Sequence, residues 1–151
     1  MSINLQIQTL DSLLSSNNYE ITILSNCSSY INSLFEDINW CGFYLLKDSQ
    51  LVLGPFQGLT ACTTIKLSKG VCGFCATTQK TVIVKNVHEF DGHIACDSRS
   101  NSEICIPIFV DNTFYGLLDI DSPKFDRFSE DDKVLLESLI KVLEKHLNTC
   151  K

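Results

Sequence analysis

Several features that would direct the chain to a membrane, out of the cell or onto nucleic acid are missing. No apolar run approaches the roughly 20 residues needed to cross a bilayer, and the N-terminus has neither a basic flank nor an apolar h-region. Those two absences predict a cytoplasmic protein without a membrane partner. No Lys/Arg cluster is present, and 12 basic against 18 acidic residues leave a net charge of −6, which argues against a nucleic-acid surface. No repeat, linker or low-complexity segment divides the sequence, so one domain over residues 1–151, long enough to bury a core, is expected. A zinc-finger pattern is lacking too. The one C-x-x-C, Cys72-Gly73-Phe74-Cys75, has no second pair at a suitable spacing, so no metal is expected.

What the chain has is cysteine. In a small secreted protein eight of them would suggest a disulfide framework. A hydrophobic content of 44% already suffices for a core, so most read as reduced, buried and Val-like, and a minority as chemical. The second conspicuous feature is the stretch from Phe90 to Glu103, in which ten of fourteen residues are polar or Gly. It separates two β-branched runs, Thr81 to Val84 and Ile104 to Val110, and reads as one long surface loop. Loops of this length inside a domain are uncommon and usually functional or disordered. This one carries Cys96 between His93 and Asp97 and ends on Glu103, which favours function.

The remaining pattern predicts an α+β layout. Leu5, Leu10, Leu13 and Leu14 mark one helix, and Ile23, Leu24, Tyr30, Ile31 and Leu34 a second that includes Cys27 as core, together spanning about 3–36. From Trp40 the period changes to that of strands. A hairpin of Trp40 to Leu46 and Leu51 to Phe56 precedes a short edge strand at Thr63 to Leu67 and a helix from Val71 to Thr78 capped by Ser68. Val82 to Val84 is a strand; Glu103 to Val110 and Thr113 to Asp121 form a second hairpin about Asp111-Asn112, closing a sheet region of about 40–122. Ser129 and Asp132 make a capping box for a final helix over about 130–148, with Val134, Leu135, Leu139, Val142, Leu143 and Leu147 on its apolar face.

Three cysteines fall outside regular core positions: Cys62 in a connection, Cys72 at a helix start and Cys96 in the loop. A helix N-terminus or a nearby cation favours the nucleophilic thiolate. For Cys96 the candidate cations are His93 and Arg99, opposed by Asp97. A purely structural role, tethering a loop to the core, competes at each position. Asp119 and Asp121 lie two apart on one strand and so share a face, where a buried acidic pair is costly unless it binds a cation or donates protons. Glu103 opens the neighbouring strand. Trp40 and Tyr44 also share a face, as core or as a pocket wall. Aromatic walls, carboxylates and a cysteine together suit a small zwitterion with a sulfur-containing tail.

These residues together resemble the free methionine-R-sulfoxide reductases, enzymes built on a single GAF domain. The similarity runs from about Asn39 to Asp126. It is carried by Asn39-Trp40-Cys41-Gly42-Phe43-Tyr44, Leu53-Gly54-Pro55-Phe56-Gln57-Gly58, Ala61-Cys62-Thr63, Gly70-Val71-Cys72-Gly73, Gly92-His93-Ile94-Ala95-Cys96-Asp97-Ser98, Ser100-Asn101-Ser102-Glu103 and Leu118-Asp119-Ile120-Asp121-Ser122. Asn86 departs from the pattern, standing where Asp is usual before Val-His, and Asp91 stands where Pro precedes Gly-His. Asn86 still offers an acceptor, so altered loop stability is expected rather than lost chemistry.

The resemblance implies a six-stranded antiparallel sheet flanked by helices, with the ligand under the long loop. It casts Cys96 as nucleophile, Cys62 as resolving cysteine and Cys72 as an auxiliary thiol. Glu103, Asp119 and Asp121 become the substrate-binding carboxylates, with Trp40 and Tyr44 the wall near the substrate's methyl end. Cys41, Cys75 and Cys105 receive no role. The implied reaction is reduction of free L-methionine-R-sulfoxide through a cysteine sulfenic acid and an intramolecular disulfide, with no bound cofactor and a dithiol protein such as thioredoxin as reductant. A homodimer is left open. The competing reading is a non-enzymatic GAF sensor for a small regulator, which usually sits beside an output domain and has no use for paired cysteines on two loops.

Overall fold

Alternating apolar residues and two tight turns build a single antiparallel sheet. The computed structural model describes residues 1–16, 19–92 and 96–150. Helices α1 (Ile3–Ser15) and α2 (Glu20–Leu34) come first, followed by strands β1 (Trp40–Lys47), β2 (Gln50–Gly58) and β3 (Thr64–Lys66). Helix α3 (Gly70–Thr78), strand β4 (Val82–Val84) and a short 3-10 turn at Val87–Glu89 lead to the long loop. Strands β5 (Ser102–Val110) and β6 (Thr113–Ser122) and helix α4 (Glu130–Leu147) complete the chain. The six strands lie in the order β3-β2-β1-β6-β5-β4. No helix among the described residues is long and apolar enough to cross a membrane.

Local chemistry accounts for the elements. The β1–β2 turn places Asp48 and Ser49 at φ 51° and 62°, and the β5–β6 turn places Asp111 and Asn112 at 53° and 59°. Two consecutive positive φ angles match the right-handed strand twist and suit Asp and Asn. The capping box forms: the Asp132 amide donates to Ser129 Oγ at 3.1 Å, and the Ser129 amide to Asp132 Oδ2 at 2.9 Å. At α3 the cap differs from expectation. Lys69, not Ser68, holds the N-cap position and supplies no side-chain bond. Asn86 does accept a hydrogen bond, from the His88 amide at 3.0 Å, which caps the 3-10 turn.

Strand alternation sorts the sheet into two unlike faces. Cys41, Phe43, Leu45, Ile104, Ile106, Ile108, Leu118 and Ile120 pack with α1, α2 and α4 as the larger core. Trp40, Tyr44, Cys105 and Leu117 point the other way, into a smaller core with Val71, Cys72 and Cys75 of α3. Leu5, Leu13 and Val134, counted above in apolar stripes, are 48%, 38% and 54% exposed because they sit at the margins of their helical faces.

Gly42 is the tightest point of the smaller core. A Cβ there would overlap Phe56 Cβ and come within 2.8 Å of the Trp40 ring. The empty position lets the indole lie along the sheet. Gly42→Ala is therefore expected to cost about 2 kcal/mol by overpacking. It should also shift Trp40 fluorescence; urea unfolding with an unchanged midpoint and spectrum would contradict this.

Candidate active site

Strand register gathers the acidic residues. Asp121 faces Trp40 of β1 and Glu103 of β5, while Asp119 faces Gly42 and Cys105. Three carboxylates from two adjacent strands thus share the face that looks toward α3. They line one pocket with Trp40, Tyr44, Cys72, Cys96, Asp97 and Ser100. Glu103 and Asp119 are only 6% and 5% exposed, and Asp121 is half-buried. Among the described residues no ion pair reaches any of the three, although Lys69 also lines the pocket.

Their protonation follows from that isolation. Burial, then the neighbouring charges of Asp119 and Asp121, holds the Glu103 carboxyl well above the usual range. Burial raises Asp121 in the same way, with Asp119 adding repulsion. Burial also raises Asp119, although hydrogen bonds from Glu103 and Cys105 partly offset it. Clustered carboxyls out of water therefore retain protons where an exposed one would not.

One wall is aromatic. Trp40 stacks on Tyr44 at 5.8 Å and on Phe56 at 5.2 Å between ring centres. Both site aromatics are also tied to the connection that carries Cys62. Trp40 Nε1 donates to the Leu59 carbonyl at 3.1 Å, and the Tyr44 hydroxyl donates to the Cys62 carbonyl at 2.9 Å. The roof is covalent: Cys62 and Cys96 form a disulfide with their Cα atoms 5.5 Å apart.

Beyond Cys96 the loop is held by polar contacts. The Asp97 carboxylate accepts from Arg99 Nη2 at 2.8 Å and from Asn39 Nδ2 at 3.0 Å. Asn101 Oδ1 accepts from His88 Nε2 at 2.7 Å, and Asn101 Nδ2 donates to the Pro123 carbonyl at 2.7 Å. Ser100, Ser102 and Glu103 are buried, so the segment's C-terminal part is packed rather than a free surface loop. Of the two cations proposed for Cys96, Arg99 is engaged by Asp97, and His93 lies outside the described residues.

Cys72 sits in the first turn of α3, where the helix end was expected to favour its thiolate. The neighbouring Cys105 acts in that direction. Burial with the charges of Asp119 and Asp121 outweighs it and pushes the thiol up to about 11. Cys72 is thus a protonated thiol at the pocket wall.

Comparison with known proteins fits this arrangement. The GAF domain model matches residues 19–147. A relative in Escherichia coli (strain K12), named free methionine-R-sulfoxide reductase, is 49% identical over 129 residues, covering 85% of this chain and 78% of its own. The structure of fRMsr of Staphylococcus aureus in its reduced form is similar at a TM-score of 0.93 and 47% identity, covering 97% of this chain and 95% of that one. The same protein in complex with substrate gives 0.91 and 46%, with the same coverage. The chain belongs to the free methionine-R-sulfoxide reductase family of GAF domains.

Within this GAF domain the structure brings together Trp40, Tyr44, Cys62, Cys72, Cys96, Glu103, Asp119 and Asp121, from strands β1, β5 and β6, helix α3 and two connections. Cys105 was missed. It is fully buried, with Sγ 3.3 Å from Asp119 Oδ1 and 3.5 Å from Glu103 Oε2. A signal existed: on β5 it lies two residues after Glu103 and so shares its face.

The Asp97 anchor makes a pH prediction. Arg99 holds the Asp97 carboxyl down to about 2, below its ordinary 3.8. A depressed folded value means the contact contributes fully above about pH 4 and is lost as pH falls toward 2. Urea unfolding of Asp97→Asn should begin from lower stability and change less between pH 4 and 2 than the parent. An identical acid limb in both proteins would discard the anchor.

Proposed function

We propose that this chain reduces free L-methionine-R-sulfoxide to L-methionine. The observation that carries the reading is the Cys62–Cys96 disulfide roofing a pocket floored by buried carboxylates. The name of the Escherichia coli relative and the substrate complex of the Staphylococcus aureus one support it. A ligand sensor would have no use for a disulfide at the mouth of its pocket.

The chemistry follows from the parts. The α-ammonium of the substrate binds among Glu103, Asp119 and Asp121, and its methyl end lies against Trp40 and Tyr44. A carboxyl of the same cluster, kept protonated by burial, donates its proton to the sulfoxide oxygen and makes sulfur electrophilic. The Cys96 thiolate attacks that sulfur and forms an S–S bond as the S–O bond breaks and the oxygen leaves as water; water then attacks Cys96 Sγ, the S–S bond breaks, methionine leaves with two more electrons on sulfur, and Cys96 becomes a sulfenic acid. Cys62 then attacks Cys96 Sγ, water departs and the disulfide forms. An external dithiol of the thioredoxin type in the cytoplasm reduces it, so no bound cofactor is needed. Cys72 acts as an auxiliary thiol beside the path.

Two variants separate the steps. Cys96→Ser should reduce turnover below a few per cent of the parent with the fold intact by circular dichroism; greater residual turnover would move the nucleophile elsewhere. Cys62→Ser should release about one methionine per chain and then stall, since its sulfenic acid lacks a partner. Undiminished steady-state rates with thioredoxin would assign resolution to Cys72 or to an external thiol.

Substrate scope tests the carboxylates. Acylating the substrate nitrogen removes its charge and leaves a desolvated carboxylate without a cation. The N-acetyl derivative should lose roughly 3 kcal/mol, on the order of a hundredfold in kcat/KM. The (S) epimer should also be a poor substrate. Equal rates on free and acetylated compounds would defeat the ammonium clamp.

A further inference from the structure

Four residues at the pocket floor form a cluster that the scheme uses only in part, since it leaves Cys105 without a role. Cys72 Sγ of α3 and Cys105 Sγ of β5 lie 3.7 Å apart. Glu103 Oε2 is 3.8 Å from the first sulfur and 3.5 Å from the second, and Asp119 Oδ1 is 3.3 Å from Cys105 Sγ. One donor atom from each of the four residues lies within 4.8 Å of all the others. All four are buried, and three of them line the pocket, which gives an entry path.

These separations are close to the edges of a coordination tetrahedron. With metal–sulfur bonds of about 2.3 Å and metal–oxygen bonds of 2.0–2.2 Å, tetrahedral angles put two sulfurs about 3.8 Å apart and a sulfur about 3.6 Å from an oxygen. The geometry points to a site for one thiophilic divalent cation, of the zinc or cadmium type, held by Cys72, Cys105, Glu103 and Asp119. Two thiolates select a soft or borderline ion over magnesium or calcium, and two carboxylates complete four-coordination. Cys75, the C-x-x-C mate of Cys72, is not in the group; strand pairing supplies Cys105 instead.

Burial keeps the thiols protonated, so the ion replaces the protons of Cys72 and Cys105 together with any on the two carboxyls. Four protein ligands around one ion leave no open position, as in a structural rather than a catalytic metal site. Occupancy would also engage Glu103 and Asp119, the groups proposed to hold the substrate. Ion and substrate therefore exclude each other. That exclusion rests on the reductase reading; the site itself does not.

The test uses the whole chain with the Cys62–Cys96 disulfide closed, which withdraws those two thiols. Cadmium should titrate to one equivalent with a thiolate-to-metal charge-transfer band, and cobalt should give the intense visible bands of a tetrahedral thiolate site. Cys105→Val, a change of similar volume, and Cys72→Ala should each lose the saturable band. Cys75→Val should keep it. In the reduced chain zinc should inhibit turnover of the parent competitively with methionine sulfoxide, and Cys105→Val, compared with its own zinc-free rate, should lose at least tenfold in zinc sensitivity. No saturable band in the parent, or one that survives Cys105→Val, overturns the site. Non-competitive inhibition overturns the exclusion. A chain that binds cadmium but reduces no sulfoxide leaves the site standing and removes the reductase reading instead.

Discussion

Three carboxyls held out of water on one face of a sheet are the constraint around which the rest of the molecule is arranged. Each would be costly alone, because an ionised carboxylate loses its hydration on burial. Clustered, they lower that cost by keeping protons and by sharing hydrogen bonds with one another and with Cys105. The arrangement survives because the opposite face carries the stability. Three helices bury Phe43, Ile104, Ile108, Leu118 and Ile120 there, and the strands that bear the acids are anchored by that larger core.

The site is correspondingly divided between strand residues and residues of two connections. Its floor and its aromatic wall are strand residues, fixed by register and by the gap at Gly42 that accommodates the Trp40 ring. Its roof comes from two connections joined through Cys62 and Cys96. The wall and roof are not independent, since the Tyr44 hydroxyl holds the Cys62 carbonyl.

The two proposals, a proton donor and a metal site, draw on overlapping residues. In the proposed reaction a buried carboxyl with raised proton affinity is the acid, and in the proposed metal site the same carboxyls meet a soft cation beside two thiols. Cys105 is what distinguishes the two uses. It takes no part in the reaction scheme, yet it completes the four-atom set with Cys72, Glu103 and Asp119.

Much of this was legible in the sequence, because helical and strand periods and turn residues act locally. The Asp111-Asn112 hairpin, the Ser129–Asp132 box and the shared face of Asp119 and Asp121 all follow from the chain's own spacing. Motif similarity extended this to Cys62, Cys72 and Cys96. What only the tertiary structure decided was how separate segments meet and what the meeting does to charge. Spacing suggested an activated thiol at Cys72, whereas burial beside Asp119 and Asp121 keeps it protonated. Arg99 was a candidate partner for Cys96 but is turned onto Asp97. Cys105 received no role from the sequence, yet across the fold its sulfur faces that of Cys72, 33 residues away. Desolvation and strand register depend on neighbours brought from elsewhere in the chain, and no local pattern records them.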